Sequence, residues 1–337
     1  MNILAPIDNV NQINLFKHVG ASEFYCGYIP YDWFDKYNKS IEKWTKKDLQ
    51  LSLNRREVGF ANITFFETFE KVVKEAHDCG TKIYVTVNAP SYPAVNYPFI
   101  SEYIKLIDSL GIDGIIISDV GLIKNIYKNV KCKLILSTCN QVATHDGVKF
   151  MQQLGIKRIV FPRHISLKQM EKITNSITDM EYECFVLEGK CIYDDGNCNI
   201  LHSCGSFCSE RWYTKYYSSN DEIVNQSELF ENEEDYYEHS MPYLNTKLPA
   251  SGWRNMGCGI CSLEYILNNV NITSLKIAGR GLDNRQKLKN ISILKNAIDL
   301  TYKGATKKEL KEYMQQYQPW KELCNNHYRC YFPDFNE

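Results

Sequence analysis

The stretch FETFEKVVKEAHDCGTKIYVTVN, residues 66–88, holds one copy of the unit that decides the fold. Its first part places apolar residues at helical spacing and stops at Gly80, which is suited to the left-handed conformation that closes a helix. Its second part, KIYVTVN (82–88), is a short and mostly apolar run of strand length. A helix followed by a buried strand is half of a βα alternation around a parallel sheet.

The alternation extends in both directions. Further candidate strands are NILAP (2–6), EFYCG (23–27), GIIIS (114–118), KLILST (133–138), RIVFP (158–162), YECFVLE (182–188) and SLKIAG (274–279). SEYIKLIDSLGI and LKQMEKITNSI repeat the amphipathic helical spacing. Eight strands with intervening helices is the count of a TIM-type (β/α)8-like barrel, although a doubly wound open sheet alternates similarly. The barrel is the expected fold, and its functional face is expected at the C-terminal ends of the strands. Asn88, Ser118, Asp119, Ser137, Thr138, Arg163 and Arg280 all fall at or just beyond such ends. Any one of them could be a loop cap; together they mark one polar rim.

The regular alternation breaks after Glu188. A cysteine-rich insertion, residues 189–271, separates the seventh strand from the eighth, and the barrel with this insertion is expected to span residues 1–300. Residues 301–337 read as a C-terminal helical appendage. Within the insertion, residues 218–240 carry eight acidic residues and no Lys or Arg, which reads as a solvated excursion.

Composition is that of an ordinary globular chain: 337 residues, 44% hydrophobic and 23% charged, with a formal net charge of −1. Such a balance supplies no global basic field for sequence-independent binding to a phosphate backbone, so RNA is the less favoured partner at this stage. MNILAPIDNV lacks the positive region and apolar run of a secretory signal, and no stretch is long and apolar enough to span a bilayer. The expectation is a cytoplasmic chain without a membrane partner.

Thirteen cysteines is a high count for a reducing compartment, where clustered thiols are more often metal ligands or redox groups than structural disulfides. CIYDDGNCNILHSCGSFC, residues 191–208, holds Cys191, Cys198, Cys204 and Cys208; GCGIC adds Cys258 and Cys261. Thiolates on loops rich in Gly, Ser and Asn can bend around a soft metal centre. An iron–sulfur cluster and a structural zinc ion both remain open on spacing, with the Cx3C and Cx6C intervals fitting zinc ribbons less well. Cys26, Cys132 and Cys184 lie in or beside apolar strand segments and Cys79 at a helix end, as small core residues do. Cys139 follows KLILST and is the best outlying ligand candidate. Cys324 and Cys330 can close a second site or sit as buried thiols, and spacing does not separate the two readings.

Several segments together resemble peptidase family U32. LSTCNQVATHDGVKFMQQLGIKRIVFPRHISLKQM is similar to the family segment in which a Ser-Thr pair leads through a loop and a helix to a strand ending in Arg. ECFVLEGKCIYDDGNC resembles the family's Glu-x-Phe signature with its following cysteines, CGSFCSERWY its Cx3C motif, and SLKIAGR its last-strand motif. The resemblance runs in order from NILAPIDN to about residue 300. It departs at Asp195, where the family carries Ser, at Ala278, where it carries Glu, and at Glu188, where it carries His.

The resemblance implies oxygen-independent hydroxylation proteins with a 4Fe–4S cluster on four cysteines; members act in tRNA and rRNA hydroxylation and in anaerobic ubiquinone synthesis, with prephenate implicated as an oxygen source. Carried across by position, Cys191, Cys204, Cys208 and Cys261 are the expected ligands, with Cys198 and Cys258 as alternates. Arg163, Lys276 and Arg280 are the expected anion-binding residues at the mouth. The leading expectation is an iron–sulfur enzyme, an oxygen-independent hydroxylase acting on a small molecule or a peptide. The alternatives are a peptidase or peptide-maturation enzyme, a non-catalytic iron–sulfur subunit serving a protein partner, and RNA hydroxylation. No HExxH or GxSxG motif supports the peptidase, which leaves Cys139 with His145 or His164 as its nucleophile pair.

Overall fold

The computed structural model describes residues 1–33, 53–56, 61–191, 195–196, 216–220, 222–224, 256–317, 324 and 329–333. Eight parallel strands close into a barrel: β1 (Asn2–Pro6), β2 (Glu23–Cys26), β3 (Lys82–Val87), β4 (Gly114–Ile117), β5 (Lys133–Leu136), β6 (Ile156–Val160), β7 (Glu181–Leu187) and β8 (Ser274–Ile277). Neighbours in sequence are neighbours in space, and β8 pairs with both β7 and β1 to complete the ring. All eight expected strands are present. The closed ring rules out the open doubly wound sheet.

Strand ends shift by one or two residues from the sequence reading. RIVFP gives up its last two residues because Pro162 has no N–H to extend the ladder, and the strand gains Ile156 and Lys157 at its start. Strands such as GIII of β4 are buried along their whole length, since barrel residues and helices cover opposite faces.

Helices α1 (Asn11–His18), α2 (Phe66–Asp78), α3 (Tyr97–Ser109), α4 (Val120–Ile126), α5 (His145–Gln153), α6 (Leu167–Ser176), α7 (Leu263–Asn269), α8 (Asn284–Tyr302) and α9 (Lys307–Gln315) lie outside the ring. Local chemistry sets their starts. Asp119 accepts from the Leu122 N–H, Thr144 from Gly147, and Asp283 from Arg285 and Gln286. Ser166 with Gln169 and Thr306 with Glu309 form reciprocal capping boxes. Gly80 closes α2 at φ 67°, as its sequence position leads one to expect. Buried apolar faces such as Phe69, Val72, Val73 and Ala76 of α2 join the barrel's outer wall.

The chain after α9 returns to the barrel. Cys258 forms a parallel β-bridge with Cys330 and an antiparallel one with Leu187, so residues 329–331 extend the ladder beyond the end of β7. Tyr331 is buried against Phe185, with ring centroids 6.2 Å apart. The C-terminal segment therefore touches the functional end of the barrel. Most of the cysteine-rich insertion lies outside the described residues. Among the described residues, no helix is long and apolar enough to cross a membrane.

Candidate active site at the barrel mouth

Charged side chains fill the barrel in two layers of different balance. The lower layer joins Glu23, Arg158, Glu183 and Lys276. Arg158 is fully buried and donates to both Glu23 oxygens at 3.0 Å and to Glu181 at 2.7 Å; Lys276 donates to Glu183 at 2.7 Å. Tyr84 and Ser274 add hydrogen bonds to Glu23 at 2.9 and 2.5 Å. Burial opposes ionisation of Glu23, yet Arg158, Ser274 and Tyr84 outweigh it and hold the carboxyl below its ordinary range. Two buried cations meet two buried anions here, so the layer is internally neutral.

The upper layer, at the C-terminal ends of the strands, gathers Arg55, Arg56, Arg163 and Arg280. Asp195 accepts from Arg55 at 2.7 Å and from Arg163. The Arg163 guanidinium also stacks over Phe185, 4.0 Å from the ring centre. Arg280 donates to Asn62 at 3.1 Å and to Asn54 at 3.2 Å, two neutral acceptors. Burial, followed by the charge of Arg56, pushes the Arg280 pKa down to about 10. Burial also lowers Arg56, with Arg55 and Arg163 adding like-charge repulsion. Four guanidiniums with Asp195 between two of them, and with Asp8, itself paired with Lys287, acting on Arg56 and Arg280, form a locally positive patch in a chain of near-zero net charge. A guanidinium fork matches carboxylate or phosphate geometry, so such a patch has the chemistry to receive an anion.

A second sign of an absent ligand surrounds this patch. Buried polar atoms without a hydrogen-bond partner among the described residues include Asn88 Oδ1, Ser118 Oγ, Thr138 Oγ1, Gln141 Nε2 and Arg163 Nε. All five belong to the C-terminal ends of β3 to β6 or the turns that follow. Buried polar groups are nearly always satisfied, so this cluster of exceptions offers hydrogen-bonding capacity that the described residues do not use. Approach is close: a Cβ added at Gly27, just beyond β2, would stand 1.9 Å from Asn62 Oδ1 and 2.1 Å from Arg280 Nη1.

At the end of β7 the chain reverses through two consecutive left-handed residues, Glu188 at φ 57° and Gly189 at φ 65°. The reversal leads into Lys190 and Cys191. Burial raises the Glu188 carboxyl to about 7, partly offset by hydrogen bonds from Asn290 and Gln286 on α8. Tyr331 O–H donates to the Glu188 carbonyl, which ties the C-terminal segment to this turn.

The expected site residues sort as follows. Arg163 and Arg280 stand at the mouth as the strand ends imply. Lys276 is on the inner wall one layer down, held by Glu183 and 4.3 Å from the Tyr25 ring centre, because its strand position points it into the barrel. Cys191 is half-buried beyond the β7 reversal, while Cys198, Cys204 and Cys208 lie outside the described residues. Cys258 is buried and Cys261 half-buried, next to the C-terminal thiols. Cys139 is buried and accepts a 3.4 Å hydrogen bond from Arg55. His145 meets Asp146 and His164 is exposed, so the partner found for the Cys139 thiol is a guanidinium. Arg55, Arg56, Asp195 and Tyr331 were not anticipated as site residues. The doublet in NRR (54–56) was the available signal for the first two.

Residues 8–334 match the sequence profile of peptidase family U32. The chain belongs to this family. It is 35% identical over 197 residues to tRNA hydroxylation protein P of Escherichia coli (strain K12), covering 58% of this chain and 38% of that protein. It is 25% identical over 319 residues to tRNA hydroxylation protein P of Helicobacter pylori (strain J99 / ATCC 700824), covering 91% of this chain and 66% of that one. A 133-residue match at 29% identity links it to the 23S rRNA 5-hydroxycytidine C2501 synthase of E. coli, over 40% of this chain and 20% of the relative. The U32 chain thus spans less than two thirds of the length of these relatives.

Proposed function

We propose that this U32 chain is an iron–sulfur-dependent, oxygen-independent RNA hydroxylation protein whose anionic substrate groups dock on Arg55, Arg56, Arg163 and Arg280. The observation that carries the reading is the gathering of four guanidiniums at the barrel mouth, where Arg280 donates to neutral acceptors, beside buried polar atoms without a hydrogen-bond partner among the described residues. The names of the curated relatives, tRNA hydroxylation protein and 23S rRNA synthase, supply the substrate class. RNA thereby replaces the small molecule or peptide as the leading substrate. Net charge argued against RNA only for the chain as a whole; a local basic surface suffices for a phosphate to dock.

A 4Fe–4S cluster suits the donor chemistry, since thiolates are its ordinary ligands and Cys191 stands at the functional end of the barrel. Cys191, Cys204, Cys208 and Cys261 are its proposed ligands, with Cys198 and Cys258 as alternates; Cys261 is half-buried on the turn before α7. The cluster would supply the electron transfer that hydroxylation without molecular oxygen requires. The chain's own residues bind and orient: the arginines hold an anion, and Asn88, Ser118 and Thr138 offer hydrogen bonds to a polar group placed above the strands.

Mass spectrometry of nucleosides from tRNA and rRNA of a deletion strain tests the reading. Loss of a hydroxylated pyrimidine, restored by the wild-type gene and not by an Arg280→Gln gene, is the expected result. Unchanged nucleosides in both RNA pools would sink it.

A further inference from the structure

The C-terminal segment places one aromatic side chain against the same groups that hold Arg163. Backbone pairing fixes residues 329–331 to the end of the barrel: the Cys258 N–H donates to the Arg329 carbonyl at 2.8 Å, and the Tyr331 N–H donates to the Cys258 carbonyl at 2.8 Å. Lys190, just beyond the β7 reversal, donates to the Cys330 carbonyl. The Tyr331 ring lies directly on Gly257, where an added Cβ would stand 2.8 Å from Tyr331 Cε2. A side chain at position 257 would push the ring away, so the glycine is what lets Tyr331 reach its buried place.

Two neighbours are common to Tyr331 and Arg163. The first is Phe185 of β7, which carries the Arg163 guanidinium 4.0 Å from its ring centre and whose ring is within 16° of parallel to that of Tyr331. The second is the β7 reversal. Tyr331 O–H donates to the Glu188 carbonyl, and Gly189 lies against the arginine, with an added Cβ 3.8 Å from Arg163 Nη2. Glu188 is left-handed at φ 57°, a conformation that a residue with a side chain keeps only where its surroundings hold it. Its backbone is held on both sides: its N–H donates to the Gly257 carbonyl at 2.8 Å, and its carbonyl accepts from Tyr331. Arg163 itself is only partly committed, since Nη1 donates to Asp195 while the buried Nε has no partner among the described residues.

We propose that Tyr331 is a positioning residue of the mouth: by fixing the β7 reversal and the Phe185 ring it sets the direction of the Arg163 fork, so that the C-terminal segment completes the anion site. The inference rests on the reading of the mouth as an anion site and deepens it. A guanidinium makes its two parallel bonds to a phosphate only when plane and direction match, and a small rotation leaves one bond in place of two. Removing the Tyr331 hydroxyl releases the carbonyl of a left-handed residue and loosens the turn that lies against Arg163. All four arginines are then still present, but one of them no longer points as the site requires. Linkage makes the relation reciprocal: an anion that binds better when the segment is docked must itself hold the segment in place.

Inorganic phosphate is the probe, and its affinity is measured by titration calorimetry on the full chain for the wild type, Tyr331→Phe, Arg163→Lys and the double variant. Tyr331→Phe keeps the ring and removes one hydrogen bond, and phosphate should bind about fivefold more weakly. In the Arg163→Lys background, where the fork is already lost, the same substitution should change the affinity by less than about twofold. Phe332→Leu, on the same segment and also buried, serves as the control for loosened packing: it should lower the thermal midpoint and keep the wild-type affinity. Because a variant can fail to fold, hydrogen exchange of the wild-type chain is the independent measurement. Phosphate should slow exchange at the Tyr331 amide and leave the amides of α9 unchanged. Undiminished affinity in Tyr331→Phe, an equal loss in both backgrounds, a matching loss in Phe332→Leu, or no protection of the Tyr331 amide by bound phosphate would each overturn the proposal and leave the anion site standing. A wild-type chain that binds no phosphate would remove the anion site and this proposal with it.

Discussion

Asp195 accepts a 2.7 Å hydrogen bond from Arg55, 140 residues earlier in the chain, and shares its other oxygen with Arg163. Burial alone would raise this carboxyl, but Arg163 and then Arg55 hold it below the usual range. One short side chain thus restrains two of the four guanidiniums at the mouth, while Arg280 is held by the neutral acceptors Asn62 and Asn54.

Asp195→Asn is expected to lower stability by about 3 kcal/mol, because it removes the negative charge shared by two buried guanidiniums. Phosphate should then raise the thermal midpoint of the variant more than that of the wild type, by taking the vacant place between the guanidiniums. The sign with pH is set by the depressed carboxyl: its contribution is present above the ordinary carboxylate range and is lost as pH falls through the lower folded value. The wild type should therefore shed this stability only in strong acid, and the variant should show no such step. Equal phosphate shifts in the two proteins would mean that the cluster does not receive anions.

The barrel was legible in the sequence because each of its strands is a short apolar run and each interval is helical, so local pattern and global fold agree. The ends of β6 and β7 were legible only to within a residue or two, since what stops them is a ladder bond made or missing. Arg163 and Arg280 could be placed at the mouth because they follow strands directly. Arg55 and Arg56 could not, because they sit between β2 and α2 where no period fixes which way a side chain faces. Lys276 lies deeper than its position near a strand end implies. Its strand was read correctly, but a small step along a strand carries a side chain from the rim to a deeper layer, and its partner Glu183 is 93 positions earlier in the chain.

That depth makes the role of Lys276 testable. Lys276→Met should cost about 3 kcal/mol by taking the closer cation from the buried Glu183, which keeps only the longer 3.5 Å bond from Arg158. Adding Glu183→Gln should recover part of the loss, and a double-mutant cycle from urea unfolding measures the coupling. A Lys276→Met protein of full stability that fails to bind RNA would return this residue to the anion site.

Glu188 sets a pH dependence of opposite sign to that of Asp195. Its carboxyl is raised from 4.5 to about 7, so between those values the folded chain holds a proton that the unfolded chain has released. Stability from this group is greatest in acid, falls as pH rises through that window, and levels off above it, a change of about 3 kcal/mol. Glu188→Gln keeps an acceptor for Asn290 and Gln286 and removes the titration. It should stabilise the chain at neutral and higher pH and flatten the profile, as followed by urea midpoints across the window. An unaltered slope would assign the dependence to another group.

Gly27 offers the sharpest separation of site from scaffold. A methyl group there meets Asn62 Oδ1 and Arg280 Nη1 far inside contact distance, so Gly27→Ala must push the Arg280 fork off its two asparagine acceptors. Overpacking of this kind costs about 1–3 kcal/mol. Gly80→Ala serves as the comparison: nothing lies within 4 Å of its added Cβ, and the cost comes from the left-handed backbone at φ 67° alone, about 1 kcal/mol. Gly27→Ala should weaken RNA binding and reduce its salt dependence, because a positioned cation no longer meets a phosphate. Gly80→Ala should lose stability while its binding and salt slope stay those of the wild type. Fluorescence titration of labelled tRNA at several salt concentrations reads both, and identical slopes for the two variants would show that Arg280 does not contact the RNA.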